Sequence, residues 1–195
     1  QRTLPAVRGV WHTAGVLADG LVAQQDASTL RHTYQPKAGG AGHLHRTLAT
    51  APLRAFVHFS SIAGLVGNAG QGNYAASNAC LDALAKCRRA QGGYATSIDW
   101  GPWAEVGMAS GGAVNARLKA MGLGLIDDWQ GTAALHAALQ PHRLASMVFL
   151  LVRWDVMLGA GKPPPTLLSS LMPRVPVAVA TNATVAALPQ LVLPM

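Results

Sequence analysis

The chain has 195 residues, of which 50% are hydrophobic and 12% are charged. This composition is too apolar for a disordered chain and fits one α/β domain, or part of one. The net charge is +7, but the basic residues are scattered along the chain, with Arg88 and Arg89 the only adjacent pair. We therefore expect no nucleic-acid interface.

The first predicted strand covers residues 7–11 and ends in a turn that contains Thr13, Ala14 and Gly15. Glycine at such a turn lets the backbone approach a ligand or a neighbouring helix closely. An ordinary strand-ending turn is the more frequent explanation of these residues taken alone. Sequence alone therefore leaves two interpretations of this turn.

A long helix is predicted next, from a cap at Asp26 towards Leu48. Its interior contains three glycines, at positions 39, 40 and 42. Each interior glycine costs about 1 kcal/mol relative to alanine. We therefore expect this helix to be bent, closely packed or weak.

The central stretch is a predicted strand over 55–59, a loop, and a helix over 73–89. Ser61 lies at the carboxyl end of the strand, the edge where open α/β sheets place their sites. Tyr74 and Asn78 are four residues apart and share one face of the helix. These three side chains form the first candidate site.

The same stretch contains Gly70-Gln71-Gly72-Asn73-Tyr74-Ala75, which matches the dinucleotide-binding pattern G-x-G-x-x-A. That pattern needs a tight turn from strand to helix, and here about ten residues intervene. It also needs an acidic residue about twenty positions later, which this chain lacks. We interpret the glycines as the flexible floor of a substrate cleft.

Further strands are predicted over 95–100 and 147–152, the second being the final strand, with helices beginning near Val114 and at a cap on Asp128. Strands that alternate with helices indicate right-handed crossovers and a parallel sheet. The loop from Gly101 to Met108 follows a strand's carboxyl end and is a candidate lid.

Residues 156–195 differ in character from residues 1–155. They contain Lys162-Pro163-Pro164-Pro165, and the apolar segment 175–195 is interrupted by further prolines. A membrane span needs about 20 apolar residues without such breaks. We predict an interdomain linker or tail, with a weak membrane span as the alternative.

Cys80 and Cys87 lie seven residues apart on one predicted helix, where disulfide geometry is not met. We expect reduced thiols in a cytoplasmic, reducing compartment. The histidines have no defensible metal-ligand spacing, so we expect no metal site. The residues considered were His12, His43, His45 and His58.

Several motifs occur together in one order and spacing, and in this the chain resembles the ketoreductase domain of modular polyketide synthases, within the short-chain dehydrogenase/reductase superfamily. The resemblance covers roughly residues 7–155. The motifs that carry it are His12-Thr13-Ala14-Gly15-Val16-Leu17, Pro36-Lys37, Phe59-Ser60-Ser61-Ile62-Ala63-Gly64, Gly67 to Asn78, and Trp100-Gly101-Pro102-Trp103.

The resemblance implies a Rossmann-like, doubly wound parallel sheet and the NADPH-dependent reduction of a β-ketoacyl thioester. It implies that Tyr74 is the general acid, that Lys37 lowers the pKa of the phenol and meets the nicotinamide ribose, that Ser61 binds the substrate carbonyl, and that Asn78 holds the geometry or a relay water. General reductases of the superfamily carry the lysine four residues after the tyrosine. Here Asn78 and Lys37 have exchanged those places, as polyketide ketoreductases show.

Other positions are assigned by resemblance alone. The implied NADPH contacts are Thr13, Ala14, Gly15, Lys37, Tyr74, Gly101 and Pro102. The implied substrate and stereocontrol positions are Asp19, Val66, Asn73, Trp103 and Met108. Asp19 keeps one acid of the family's Leu-Asp-Asp motif, and Val66 stands where the opposite class carries a tryptophan, which together favour the B-type hydroxyl configuration. Ala18 departs from that motif.

The resemblance also implies partners. The substrate would be carried on the phosphopantetheine of an acyl carrier protein. The family's glycine-rich NADPH motif would precede residue 1, so we expect the N-terminal part of the domain to lie upstream and this chain to bind NADPH poorly by itself. Two alternatives are the equivalent domain of an animal-type fatty acid synthase and a non-catalytic scaffold domain.

Overall fold

The computed structural model describes residues 4–104, 112–140, 144–158 and 191–194. Five strands form one sheet in the order β1-β2-β3-β4-β5. The first four strands are parallel, and β5 pairs antiparallel with β4. Helices pack on both faces, which confirms the predicted Rossmann-like α/β fold.

The element bounds follow the predicted order. The strands are β1 Gly9–His12, β2 Ala55–Ser61, β3 Thr96–Trp100, β4 Ser146–Leu150 and β5 Leu191–Pro194. The helices are α1 Ala27–Tyr34, α2 Gly40–Thr47, α3 Ala63–Val66, α4 Gly72–Ala90, α5 Gly112–Ala120, α6 Asp128–Ala138 and α7 Trp154–Met157, with a 3₁₀ turn at Val22–Gln24 and a π-helical turn at Gln35–Gly39.

Two local predictions are wrong. Asp127, not Asp128, caps α6: its side chain accepts a hydrogen bond from the backbone N–H of Gln130, which Asp128 inside the first turn is not placed to do. Residues 147–152 do not form the final strand, because β5 extends the sheet beyond β4. An apolar segment rich in proline gives little strand signal, since proline lacks a donor for the ladder.

The long helix predicted to start at Asp26 is interrupted by a π-helical turn. Asp26 caps α1 by accepting hydrogen bonds from the backbone N–H groups of Ser28 and Thr29. The π-helical turn with Pro36 and Lys37 then separates α1 from α2. Pro36 has no N–H to donate, so the regular α-helical ladder is interrupted there.

The two faces of the sheet differ in polarity. One face carries an apolar core in which strand residues such as Val57, Ile98 and Phe149 pack against Ala134 and Ala138 of α6. The face beneath α4 has a small apolar cluster around Phe56 and Ala85. It also carries a group of buried polar residues on three neighbouring strands: His58, Ser60, Ser97, Asp99 and Ser146.

His58 lies at the centre of that polar face and is fully buried. Its Nδ1 lies 3.0 Å from the carbonyl oxygen of Leu81, to which it donates, and its Nε2 has no partner among the described residues. Burial is the main cause that lowers the pKa of His58 to about 4. The imidazole is therefore neutral at neutral pH.

Cys80 and Cys87 are free thiols, as predicted. In the described part of the chain, no helix is long and apolar enough to cross a membrane. Within those same residues, no cluster of three or more histidine, cysteine or acidic side chains could hold a metal ion.

The depressed pKa of His58 predicts an acid-dependent loss of stability. Between pH 6.5 and about 4 the unfolded chain binds a proton at this position and the folded chain does not, so stability falls as the pH falls through this window. The reference variant is His58→Asn, whose amide can still donate to Leu81. Relative to this variant, the free energy of unfolding of the wild type should fall by on the order of 3 kcal/mol over this window. Urea unfolding at pH 7, 5.5 and 4 measures this difference, with exposed His43→Asn as the control. A constant difference between wild type and His58→Asn would contradict the prediction.

Candidate active site

The candidate site lies at the carboxyl edge of the sheet, where β2 ends against the first turns of α4. In the parallel register the last residues of β2 and β3, Ser61 and Trp100, pair with each other, and the last residue of β1, His12, pairs with His58. Residues that are distant in sequence therefore meet at one edge. The structure brings Lys37, Ser61, Tyr74 and Asn78 to this edge.

Tyr74 begins the buried face of α4 and is 8% exposed. Its backbone N–H donates to Asn73 Oδ1 at 2.7 Å, and its carbonyl oxygen accepts from Ser77 Oγ and Asn78 Nδ2 at 2.8 and 2.9 Å. The position of the phenol is thus fixed through its own backbone. Helical spacing explains why Asn78 reaches the carbonyl four residues earlier.

Lys37 extends from the π-helical turn into the sheet edge and is only 2% exposed. Its Nζ donates to the carbonyl oxygen of Phe59 at 2.7 Å and lies 5.3 Å from the centroid of the Tyr74 ring. Burial lowers the pKa of Lys37 to about 8, and the negative charge of Asp82 partly offsets this effect. The ammonium form predominates at neutral pH.

Burial is the main cause that raises the pKa of the Tyr74 phenol above its usual value, while the side chains of Asn78 and Ser61 act to lower it. The net direction is therefore upward, and the nearby Lys37 ammonium does not offset the effect of burial. Desolvation of the phenolate outweighs the favourable contacts. The phenol is held in its protonated form.

Ser61 is half-buried at the end of β2, and its Oγ accepts a hydrogen bond from Ala63 N–H at 3.3 Å. Asn78 is fully buried, and its Oδ1 has no partner among the described residues. A buried amide oxygen without a partner is costly unless something donates to it. The arrangement thus offers a serine hydroxyl, a phenol, an ammonium and a free amide acceptor within one small region.

The residues predicted to contact NADPH occupy the same edge. Thr13 and Ala14 follow the end of β1 and are exposed, and Gly15 is half-buried. Gly101 is buried after β3, where an added Cβ would lie 2.9 Å from Leu150 Cδ1. Pro102 is half-buried, and its carbonyl oxygen accepts from Ile126 N–H at 2.8 Å.

The predicted substrate positions divide into two groups. Asp19 and Val66 are exposed, and Asp19 Oδ2 accepts from Gln71 Nε2 at 3.0 Å near the start of α4. Trp103 is half-buried, with its ring 5.0 Å from that of Trp100. Met108 lies outside the described residues.

Asn73 differs from the expected substrate contact. It is 3% exposed, and its Nδ2 lies within hydrogen-bonding distance of Ala18 O, Gln25 Oε1 and Thr33 Oγ1. These contacts connect the loop after β1 to the start of α4. The geometry indicates that Asn73 positions neighbouring segments instead of facing a substrate.

His12 is a further residue of the site, which the sequence indicates only as part of a motif and as a candidate metal ligand. Its Nε2 lies 2.7 Å from the carbonyl oxygen of Lys37, to which it donates, and its side chain is buried. Lys37 is thus held by its backbone at the end of β1 and by its ammonium at the end of β2. The available signal was a histidine at the last position of β1, directly before the predicted ligand-binding turn.

A family model described as the KR domain matches residues 1–105, which is more than half of the chain. The chain belongs to the KR domain family. This membership implies a nicotinamide cofactor. It confirms the resemblance to polyketide synthase ketoreductases within the short-chain dehydrogenase/reductase superfamily.

Similar proteins are polyketide synthases. The polyketide synthase GfsB of Streptomyces halstedii is 50% identical over 133 residues, which cover 67% of this chain and 2% of the relative. The spectinabilin polyketide synthase system protein NorB of Streptomyces orinoci is 42% identical over 166 residues, which cover 81% of this chain and 8% of the relative. The chain thus spans only a small part of these proteins.

Solved ketoreductase structures resemble the fold closely. An A-type ketoreductase from a modular polyketide synthase has a TM-score of 0.78 at 38% identity, with 84% of this chain and 35% of that chain covered. The ketoreductase from the first module of phoslactomycin biosynthesis in Streptomyces sp. HK803 has a TM-score of 0.79 at 38% identity, with 87% and 40% covered.

The buried ammonium of Lys37 predicts a stability change at alkaline pH. Between pH 8 and 10.5 the unfolded chain binds a proton at this position and the folded chain does not, so the wild type gains stability as the pH rises through this window. Relative to Lys37→Met, the free energy of unfolding of the wild type should rise by on the order of 2 to 3 kcal/mol from pH 8 to pH 10.

Urea unfolding of both proteins at pH 7, 8, 9 and 10 measures this change. Lys86→Met removes a lysine from an exposed position of α4 and serves as the control. The prediction is wrong if the difference between wild type and Lys37→Met is the same at pH 8 and pH 10.

Proposed function

We propose that this chain is the catalytic segment of a polyketide synthase ketoreductase that reduces a β-ketoacyl thioester to the β-hydroxyacyl thioester with NADPH. The observation that carries the proposal is the convergence of Lys37, Ser61, Tyr74 and Asn78 at one sheet edge in a chain of the KR domain family. The relatives named above are polyketide synthases, which favours this function over that of an animal-type fatty acid synthase.

The reaction requires that a proton be given to the ketone oxygen as negative charge develops on it. When bound, the reduced nicotinamide supplies the hydride that the ketone carbon receives. Tyr74 gives its phenolic proton to the substrate oxygen, and the Ser61 hydroxyl donates a hydrogen bond to the same oxygen. Holding the phenol protonated at neutral pH suits this role, since only that form can donate.

Lys37 stabilises the phenolate that remains after proton transfer. Its ammonium lies over the Tyr74 ring in a buried place, where electrostatic interactions are stronger than in water. The resting phenol gains little from the ammonium because it is neutral. The interaction strengthens as negative charge forms, which is the requirement for lowering a reaction barrier.

Asn78 is proposed to hold a relay water that returns a proton to Tyr74. Its Nδ2 donates to the Tyr74 carbonyl oxygen, and its buried Oδ1 has no donor among the described residues. A water that donates to this oxygen would satisfy it. The free acceptor and its place one helical turn after Tyr74 support this role.

NADPH is proposed to lie along the carboxyl edge of the sheet. The exposed Thr13 and Ala14, together with Gly15, would contact the adenine-ribose part, while Lys37 and Tyr74 would meet the nicotinamide ribose. Gly101 and Pro102 would border the nicotinamide at the end of β3. The open position of residues 13–14 and the burial of Lys37 fit this group.

The proposed partners are an acyl carrier protein with a β-ketoacyl phosphopantetheine and the upstream part of the same ketoreductase. The proposed domain division is residues 1–155 for the ketoreductase and 156–195 for a linker or tail, of which residues 191–194 return to the sheet as β5. A non-catalytic scaffold domain is the second candidate function, and the following experiment separates it from the first.

Tyr74→Phe should abolish reduction of a β-ketoacyl-thioester mimic, because it removes the only proton that the phenol can donate. We expect kcat to fall at least 10²-fold in a version of the protein extended upstream to include the cofactor half. Spectrophotometric consumption of NADPH measures turnover, and Tyr94→Phe, at an exposed tyrosine, is the matched control. If the extended protein binds NADPH but shows no turnover that Tyr74→Phe abolishes, the non-catalytic scaffold function is favoured.

The B-type hydroxyl configuration is proposed for the product. It is supported by Asp19, which lies exposed beside the start of α4 and accepts from Gln71, and by the exposed Val66 on α3. The carboxylate of Asp19 would direct the entry of the substrate from this side. Ketoreductases described as A-type and as C2-type are both among the similar structures, so likeness of fold alone selects no class.

Asp19→Ala should reduce the stereochemical selectivity of the extended protein by about tenfold, a change on the order of 1.4 kcal/mol between the two competing transition states. Chiral chromatography of the hydroxyacyl product measures the ratio of the two configurations. Asp155→Ala, at an exposed aspartate of α7, controls for loss of a surface charge. A wild-type product of the opposite configuration would overturn the B-type proposal.

A further inference from the structure

A buried polar cluster lies directly behind the candidate active site, between α4 and the sheet. It consists of Ser60 on β2, Ser97 and Asp99 on β3, Ser146 on β4 and Asp82 on α4. Ser60, Ser97, Asp99 and Ser146 are at most 4% exposed. None of these five residues is among the candidate site residues that the sequence predicts.

Hydrogen bonds connect the cluster to α4. Ser97 Oγ donates to Asp82 Oδ1 at 2.6 Å, and Ser146 Oγ donates to Asp99 Oδ2 at 3.3 Å. Ser60 Oγ donates to the carbonyl oxygen of Asn78 at 3.4 Å. The cluster therefore extends from the interior of the sheet to the helix turn that carries Asn78.

The environment of Asp99 is unusual for an aspartate. It is fully buried, and its Oδ1 has no hydrogen-bond partner among the described residues when both carboxyl oxygens are counted as acceptors. Asp82 lies against the same face of β3, where it accepts the hydrogen bond of Ser97, two residues before Asp99. Two ionised carboxylates placed side by side in this way repel each other, and burial makes the repulsion stronger.

One proton shared between the two carboxyl groups removes both difficulties. We propose that Asp99 is a neutral carboxylic acid that donates through Oδ1 to the ionised carboxylate of Asp82, and that the two residues position the active-site end of α4 and support the ammonium of Lys37. The orphaned oxygen of Asp99 then becomes the donor of a hydrogen bond. Asp82 keeps the negative charge and the hydrogen bond from Ser97.

The electrostatics agree with this geometry. Burial, followed by the charge of Asp82, raises the pKa of Asp99 to about 7, while the hydroxyls of Ser60 and Ser146 act to lower it. The charge of Asp82 also acts to raise the pKa of Lys37. The carboxylate that accepts the shared proton is thus one of the groups that keep Lys37 charged.

Other titratable groups lie on the elements packed around Asp99. His58 on β2 is held neutral, and Lys37 carries a positive charge at the end of β2. Arg88, further along α4, is turned towards His45, the Tyr94 carbonyl and the Phe56 ring. Among these groups, Asp82 is the charge that acts directly on Asp99.

Asp82 and Asp99 are positioning residues, because they act through Lys37 and α4 and do not touch the substrate. Their effect on catalysis rests on the proposed ketoreductase function. The protonation of Asp99 does not depend on that function, so the two parts of the proposal are tested separately.

The first experiment is infrared spectroscopy of the upstream-extended protein with ¹³C-labelled aspartate. The wild type should show the carbonyl band of a protonated carboxylic acid at pH 6, and the band should disappear with a midpoint near pH 7. The band should be missing in Asp99→Asn and retained in Asp155→Asn, whose carboxylate pairs with Arg153 on the surface. A wild type without the band, or Asp99→Asn with it, would overturn the proposal.

Unfolding equilibria give an independent measure. A raised carboxyl pKa means that the folded chain binds the extra proton between about pH 4 and 7, so stability is lost as the pH rises through this window. The unfolding constant of the wild type should rise by up to tenfold per pH unit relative to Asp99→Asn. The side-chain amide that this variant introduces can still donate to Asp82. If the ratio of the unfolding constants of the wild type and Asp99→Asn stays the same from pH 4 to pH 7, the proposal is overturned.

The link to catalysis is tested by the dependence of kcat/KM on pH in the extended protein. Asp82→Asn should move the alkaline limb to lower pH, because the ammonium of Lys37 loses a favourable charge. Asp99→Asn should move it less, since the wild type gains a second charge only above about pH 7, and Asp155→Asn should not move it. Equal shifts for all three variants would overturn the positioning role, whereas absence of turnover in the wild type would instead refute the proposed function.

Discussion

The burial of one ammonium group governs the organisation of the carboxyl edge. Lys37 is almost completely removed from water, yet it remains mostly charged at neutral pH because Phe59 accepts its hydrogen bond and Asp82 lies close enough to act on it. Without such partners, a buried charged group would lose its charge or destabilise the fold. The ends of β1 and β2, the π-helical turn and the start of α4 all contribute to meeting this requirement.

The polar face beneath α4 follows from the same requirement. A sheet face packed only with aliphatic side chains would have no group to balance a nearby ammonium, and the opposite face, with Ile98 and Phe149, has that aliphatic and aromatic character. The two faces of the sheet therefore have different roles. The α6 side supplies most of the apolar packing, while the α4 side supplies hydrogen bonds and charge where Tyr74 and Asn78 are held.

The sequence predicts the elements and the main residues of the site well, because both depend on local patterns. The strand before Ser61 and the helix that carries Tyr74 and Asn78 are short-range features with clear apolar periodicity. Lys37 was found through resemblance, since nothing within its own segment indicates that it would be buried. Position 37 reaches Phe59 only when β1 and β2 pair.

The features that sequence analysis missed all depend on contacts between distant segments. The hydrogen bond from His12 to Lys37, the contacts of the Asn73 amide with three other segments and the pairing of Asp82 with Asp99 arise from tertiary packing. Aspartates are usually exposed, so Asp99 in the predicted strand 95–100 gives little warning of its burial. The misassigned cap at Asp127 has a different cause, because two adjacent aspartates offer the same capping chemistry.

The π-helical turn at Gln35–Gly39 also sets how this region tolerates changes in length. A π turn contains one residue more than an α-helix would use to cover the same path. Losing one residue there would allow a regular α-helix to form, and would rotate α1 and α2 relative to each other by about 100°. Lys37 and the contact of Asn73 with Thr33 of α1 could not both be kept. Insertions and deletions should therefore accumulate in surface connections such as the turn at residues 48–50 and be rare within this π-helical turn.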